Sequence, residues 1–445
     1  MEITGTPLPP EGLPGPGKPP LRHNAIFAPE PIAPVSDTTT PTSPPAAAAP
    51  ASRMTADERR SSLGLAAIFA MRMLGLFLVL PVFMLEARKY AGGDDPALVG
   101  LAMGMYGLTQ AFFQLPLGMA SDRFGRKRVI ALGLLVFALG SLVAALADSV
   151  MGLLVGRALQ GAGAVSAAVT ALLADQTRDS VRTKAMALVG ISIGLMFAIA
   201  LVLAPWLTGY IGLSGLFLLT CALALAGVAL ILWVVPPETR HHADAPRGRA
   251  ADVWRNADLL RLNLGVFALH TIQMAMWVAV PAMLVQAGLA KDLHWHVYLP
   301  ALVLSVITMG GLFAMERRGR LRAALLLSIA LIALVQAALG GLVAAGAAPG
   351  VLLLGALLFV FFCGFNMLEA TQPSLVSRMA PASLRGAALG AYNTLQSLGL
   401  FAGGALGGAL AKWAGAGGLF AATAVLALLW LVLTWPLKPV ARGGH

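Results

Sequence analysis

The sequence predicts an all-α integral membrane protein whose twelve transmembrane helices form two pseudo-symmetric six-helix bundles, and three observations carry that prediction. Hydrophobic residues make up 58% of the 445 positions and charged residues only 11%, against about 25% charged in globular domains, and mean hydropathy is +0.80. Twelve apolar segments long enough to cross a bilayer follow one another from Leu63 onward. A charged turn between the second and third returns between the eighth and ninth, which implies duplicated halves around a cavity near the midplane.

Residues 1–62 hold half of the 28 prolines, with Ala, Thr and Ser and no apolar run of signal-peptide type, and read as a disordered cytoplasmic tail. Met54 is an alternative start of translation. The spans are expected at 63–86, 97–117, 129–147, 150–174, 184–209, 213–235, 261–287, 295–315, 321–345, 350–376, 385–411 and 417–437. The first six give an N-terminal bundle over 63–235 and the last six a C-terminal bundle over 261–437. The Pro- and charge-rich stretch 236–260 links them, and 438–445 is a short tail with no soluble domain expected after it.

The net charge of +11 belongs to short loops rather than to one basic domain, which excludes a nucleic-acid partner. Of the 31 Lys and Arg, only Arg88, Lys89, Lys291 and Lys412 fall in loops assigned to the outside; Arg72 and Arg157 lie within spans, and the rest face the other side. That bias places both termini in the cytoplasm. Trp206, Trp295 and Trp413 sit at predicted outer ends and Trp233 and Trp435 at inner ends, as interfacial anchors do. Arginine greatly exceeds lysine, and Ala and Gly are abundant, a composition of GC-rich bacterial genomes; the membrane expected is a bacterial inner membrane. Cys221 and Cys363 lie in apolar spans without metal-ligand spacing and read as small core residues. No cofactor is expected: a nucleotide-binding G-x-x-x-x-G-K-[ST] loop is missing from the sequence.

The turn GMASDRFGRKR at 118–128 sets one acid among four bases at a membrane surface. Orientation by positive charge accounts for the bases but not for an acid bracketed by glycines. The order G-x-x-x-D-R-x-G-R-K, with Gly118, Asp122, Arg123, Gly125, Arg126 and Lys127 in place, resembles the loop signature between the second and third helices of the major facilitator superfamily of transporters. The resemblance implies that fold and a conformational latch. In it the aspartate faces the start of the eleventh helix, here Asp122 toward Leu384-Arg385, and the second arginine reaches an acid ending the fourth, here Arg126 with Asp175. The turn Glu316-Arg317-Arg318-Gly319-Arg320 repeats the pattern, with Leu312 and Leu321 departing from it. R-x-x-A-[ML]-[AG] opens the fifth and eleventh spans at Arg182 and Arg385.

RALQG, from Arg157 to Gly161, resembles motif B of the same family, R-x-x-Q-G, which implies a part for Arg157 in structural support and proton coupling. An arginine inside a membrane costs roughly 2.5 to 3.5 kcal/mol on insertion scales, so it faces a partner or cavity; the plainer reading is snorkelling to the outer surface. Gly190, Gly194 and Pro205-Trp206-Leu207-Thr208-Gly209 form a degenerate match to antiporter motif C. Together, RMLGLFLVLPVF at 72–83, GMYGLTQAFFQLPLGMASDRFGRKRVI at 104–130, FNMLEATQPSLVSRMAP at 365–381 and GAYNTLQSLGLFAGGALGG at 390–408 resemble the YajR-like branch of the drug/proton antiporters.

Arg72, His270 and Glu369 each lie eight or nine residues from the inner end of spans one, seven and ten, roughly 12 to 14 Å deep at 1.5 Å per residue. By the resemblance, those spans line the central cavity, so the three are expected to meet there. A histidine and a carboxylate in contact can change protonation near neutral pH; the plainer reading is a polar cluster that fixes helix register. Glu369 is the only carboxylate well inside a span and is the expected proton carrier, with His270 beside it and Arg72 setting the field. Asn366, Tyr392, Asn393, Gln396 and Gln273 are the candidates for contact with substrate, since buried polar groups in a membrane need partners. What the resemblance implies is a monomeric, proton-coupled secondary transporter that exports amphipathic small molecules by alternating access. Export of a sugar derivative or other metabolite and a transporter-like sensor are the alternatives. An integral-membrane enzyme is disfavoured, because the inner loops offer scattered acids rather than a paired catalytic set.

Overall fold

The computed structural model describes residues 53–238, 251–381 and 384–437. Most of the expected tail 1–62, the middle of the linker 236–260 and the tail 438–445 therefore lie outside the described residues. Within the expected tail the first helix already begins, at Ala56. The cause is a capping box: Thr55 Oγ1 accepts from the Glu58 N–H at 3.2 Å and Glu58 Oε2 accepts from the Thr55 N–H at 2.8 Å. The helix runs to Val79. There Pro81, which has no N–H to donate, interrupts it before the short helix Phe83–Glu86. A five-residue helix, Ala251–Arg255, occupies part of the expected linker.

Among the described residues eleven helical stretches are long and apolar enough to cross a membrane, and one of them, Ser180–Val234, has 55 residues. At 1.5 Å per residue it extends about 80 Å, more than twice the hydrocarbon core. Gly212, at φ 63° and ψ −172°, folds it into spans five and six, which gives twelve. The others are Pro96–Phe124, Arg126–Ala145, Ala257–Gln286, Trp295–Arg317, Leu321–Ala344, Val351–Met379, Arg385–Trp413 and Gly415–Thr434. Span four consists of two helices, Val150–Ala162 and Ser166–Asp175.

Packing repeats between the halves. Spans two and three each pack on span four, as spans eight and nine each pack on span ten, and span one meets span five through Ala66–Ser192 and Phe77–Phe197 as span seven meets span eleven. The halves meet chiefly through spans two and eleven, and the long helix that carries spans five and six also touches span eight. Leu132, Leu135, Leu139 and Leu142 of span three, and Val425, Leu428, Leu429, Val432 and Leu433 of span twelve, are exposed on one side of each helix. Such apolar stripes are lipid-facing surfaces, because lipid tails solvate them as well as a protein core does.

The contact between spans two and eleven is uneven along its length. Near the start of span two, a Cβ on Gly100 would meet Gly404 O at 2.4 Å and one on Gly408 would meet Pro96 O at 2.4 Å. Only glycine allows the two backbones to touch there. Toward the 118–128 turn a Cβ on Gly118 meets only Ala167, at 3.6 Å, and one on Gly390 only Leu115, at 3.7 Å. The two backbones are thus pressed together near the face holding residues 86–95, while toward the turn Gly390 and Leu115 are at ordinary side-chain contact.

Candidate functional site

The central site of the C-terminal half joins three spans. His270 on span seven places Nε2 2.7 Å from Glu369 Oε1 on span ten. Gln396 on span eleven donates from Nε2 to the same carboxylate oxygen at 3.2 Å and lies 2.9 Å from His270 Nε2. The ring is oriented by its other nitrogen, for Nδ1 lies 3.0 Å from Val266 O. A carbonyl only accepts, so Nδ1 carries a proton and Nε2 is left to face the carboxylate. A bare ring nitrogen and a bare carboxylate would repel at 2.7 Å; one proton between them turns the contact into a hydrogen bond. The imidazole is buried while the Glu369 side chain is 29% exposed, so the contact is accessible from the carboxylate side.

An aromatic run adjoins it. His270 packs edge-on against Phe365, which stacks on Phe361. Phe362 and Trp277 both meet Phe197 of span five, and Phe197 meets Phe77 of span one at 5.1 Å. Gln273, Trp277, Leu358, Phe361 and Phe362 line a small cavity beside this run. Of the other polar candidates, Asn366 donates to Ser305 Oγ at 2.8 Å, the Asn393 carbonyl accepts from Ser397 Oγ at 3.0 Å, and Tyr392 is buried with no partner for its hydroxyl.

Arg72 does not join His270 and Glu369. It is 2% exposed inside the N-terminal half, donating to Tyr106 OH at 2.7 Å and Ser166 Oγ at 3.0 Å, with its guanidinium 5.6 Å from the Phe137 ring centre. Counting residues from a span's end gives depth but not direction around the bundle, and these partners of Arg72 all lie in the N-terminal half. Its neighbour is instead Arg157, 1% exposed, whose guanidinium lies over the Tyr106 ring at 5.0 Å. Arg157 donates to Gln160 Oε1 at 3.0 Å and Met103 O at 3.3 Å, and Gln160 donates onward to Ser141 Oγ at 2.8 Å. This explains the spacing of RALQG: Gln160, three residues on, orients the arginine. Gly161 lets span four press on span two, since a Cβ there would fall 2.1 Å from Tyr106 O. Arg157 is held by span two rather than snorkelling outward.

At the 118–128 turn, Arg126 bonds through Nε to Asp175 and through Nη1 to Asp122 at 2.8 Å. Gly125 takes φ 96° to start the third helix, a region glycine alone enters freely. Glu238, after span six, accepts the Arg126 backbone N–H at 2.8 Å, and Lys127 Nζ donates to Val235 O at 2.8 Å. The Arg123 guanidinium lies 5.5 Å from the centre of the adjacent Phe124 ring. Gly118 meets nothing closer than ordinary contact. The described ion pair of Asp122 is with Arg126, inside its own turn.

Several ion pairs that the sequence does not reveal hold the two faces. Glu58 receives Arg178 in two bonds, 2.7 and 2.9 Å, and that carboxylate is the main reason the guanidinium is held charged above its ordinary range; Thr55-x-x-Glu58 was legible as a capping box. At the opposite face Glu86, 2% exposed, takes both Lys89 and Lys291, and Asp95 pairs with Lys412 at 2.8 Å. Lys291 and Lys412 belong to the second half, so both pairs cross between halves. The Lys412 ammonium, ahead of the Ala97 and Leu98 N–H groups that Asp95 caps, holds the Asp95 carboxyl below its ordinary range. Glu86 chiefly raises Lys89 in turn.

Comparison with known proteins shows what the chain as a whole is similar to. A family model described as Major Facilitator Superfamily matches residues 61–404. The chain is 42% identical over 393 residues to the inner membrane transport protein YajR of Escherichia coli K12, covering 87% of this chain and 85% of that protein. It is 34% identical over 141 residues to the class B tetracycline resistance protein of Escherichia coli, covering 31% of this chain and 34% of that one. Among solved structures, the D323A mutant of the nucleoside transporter NupG superposes with a TM-score of 0.69 at 14% identity, over 85% of this chain and 99% of that one.

Proposed function

Since the chain belongs to the major facilitator superfamily, a family of membrane transporters rather than enzymes, we propose that it is a proton-coupled exporter of amphipathic small molecules working by alternating access. The observation that carries the reading is the contact of His270 Nε2 with Glu369 Oε1 at 2.7 Å. It needs one proton, sits inside the bundle and is accessible on the carboxylate side. Taking up that proton in one conformation and losing it in the other couples proton flow to the cycle. The aromatic run supplies the apolar wall for a substrate body, and a stretch of the tetracycline resistance protein is similar to this chain.

On this reading the halves are 63–235 and 261–437, the 118–128 turn and both termini are cytoplasmic, and the described conformation is open inward. Asp122, Arg126 and Asp175 form the inner latch, with Gly118, Arg123 and Gly125 shaping its turn. Asp122 reaches the start of span eleven when that face closes, so Asp122→Asn shifts the population toward inward-open. Arg157 serves structural support and proton coupling from within the N-terminal half, and Arg72 acts from that half rather than within the His270–Glu369 pair. The test uses inside-out membrane vesicles with a pH-sensitive dye: a transported compound discharges an imposed proton gradient when the wild-type chain is present. A compound shown to bind that leaves the gradient untouched would count against proton coupling.

A further inference from the structure

Span four is broken near its middle, between Ala162 and Ser166. The helix Ser166–Asp175 therefore starts within the membrane-spanning region, and its capping residue Val165 offers no side-chain acceptor to the first turn. The start of a helix carries unsatisfied N–H groups and partial positive charge, which together attract anions. A second, independent feature points to the same place. Arg72, 2% exposed, donates to Ser166 Oγ at 3.0 Å and to Tyr106 OH at 2.7 Å, and its Nε has no acceptor. Arg157, on the other side of Tyr106, also has an unpartnered Nε. Among the described residues every acceptor these guanidiniums have is neutral: the Ser166 and Tyr106 hydroxyls, the Gln160 amide and the Met103 carbonyl. Two buried cations and a helix start make a site short of negative charge. Ser166 is half-buried and Thr170, one turn on, exposed, so one side of this helix is open to a ligand.

We propose that the break in span four binds the acidic group of the substrate, which is an amphipathic organic anion. Arg72, Ser166 and the first N–H groups of the Ser166–Asp175 helix hold the acid. Its apolar body lies along the aromatic run that begins at Phe77, five residues further along span one. The inference rests on the exporter reading for the cavity being the substrate's path, and names the substrate's charge.

The test compares three probes with one body, 4-phenylbutyrate, 4-phenylbutan-1-ol and 4-phenylbutylammonium, by thermal stabilisation of the full chain in nanodiscs. The carboxylate is expected to stabilise at a concentration at least ten-fold lower than the alcohol or the amine. Ser166→Asp supplies a built-in counter-ion at a helix start that favours one. It should raise the melting temperature without ligand and bring the three probes within about two-fold of each other. Arg72→Lys should weaken the carboxylate more than the alcohol. Equal response to the three probes in the wild type overturns the proposal, as does an undiminished carboxylate preference, or a lowered melting temperature, in Ser166→Asp. No proton gradient enters the measurement, so its failure leaves the proton-coupled reading standing.

Discussion

Lys412 Nζ lies 2.8 Å from Asp95 Oδ2, tying the end of span eleven to the residue that caps span two. One carboxylate thus starts a helix, through the Ala97 and Leu98 N–H groups, and joins the two halves. With Glu86 and Lys291 it closes the face opposite the 118–128 turn, beside the glycine crossing of Gly100 and Gly408.

The pH response of this closure follows from the Asp95 carboxyl being held below its ordinary value by Lys412. A lowered folded-state value means the pair contributes above the ordinary aspartate range, near 3.9, and is lost only as pH falls through the lowered value. Spin-label distances across this face should therefore stay constant from about pH 8 to pH 5 and broaden below about pH 4. Lys412→Gln should broaden them at neutral pH. A transition near pH 6 in the wild type would place control of this face elsewhere.

Gly408 is predicted to be intolerant of any side chain. A Cβ would stand 2.4 Å from Pro96 O and 2.8 Å from Gly100 Cα, backbone atoms that cannot rotate away. Gly408→Val should cost on the order of 1–3 kcal/mol in this conformation and make cysteine probes near residue 100 reactive to a membrane-impermeant reagent. Unchanged reactivity would show that the crossing is not needed for closure.

Arg126 and Asp175 are expected to be energetically coupled. Each single charge reversal should lower stability by up to about 1 kcal/mol, as partly exposed pairs do, and slow transport more than it destabilises. The double reversal, Arg126→Asp with Asp175→Arg, should recover part of the loss. Simple addition of the two losses would mean that Arg126 works through Asp122 and the Glu238 contact instead.

Twelve spans, the turn and the internal repeat were legible because lipid punishes charge and unpaired backbone so strongly that hydropathy and the placement of lysine and arginine report them directly. The His270–Glu369 contact was legible for a related reason: few ionisable groups lie deep in the spans, and depth can be counted at 1.5 Å per residue. Arg72 has the same counted depth, yet faces Tyr106 and Ser166, because direction around a bundle depends on helix rotation that residue counts do not carry. The break at Gly163–Val165 was invisible, since those residues are as apolar as a continuous helix. The long-range pairings of Glu58 and Glu238, in segments read as a tail and a linker, were hidden. Their partners, Arg178 and the Arg126 backbone, are more than a hundred residues away in the chain, a separation that local patterns cannot bridge.

On the proposed function, the proton held between His270 and Glu369 drives transport. The most direct test is Glu369→Gln in proteoliposomes, measured with one substrate in two modes: uptake driven by a pH gradient, and exchange of labelled for unlabelled substrate without a gradient. The amide keeps the shape and the contact with Gln396 but cannot take up or release the carboxyl proton. Gradient-driven uptake should be abolished while substrate binding and exchange persist; gradient-driven uptake retained in Glu369→Gln would contradict the account and move the proton site to His270.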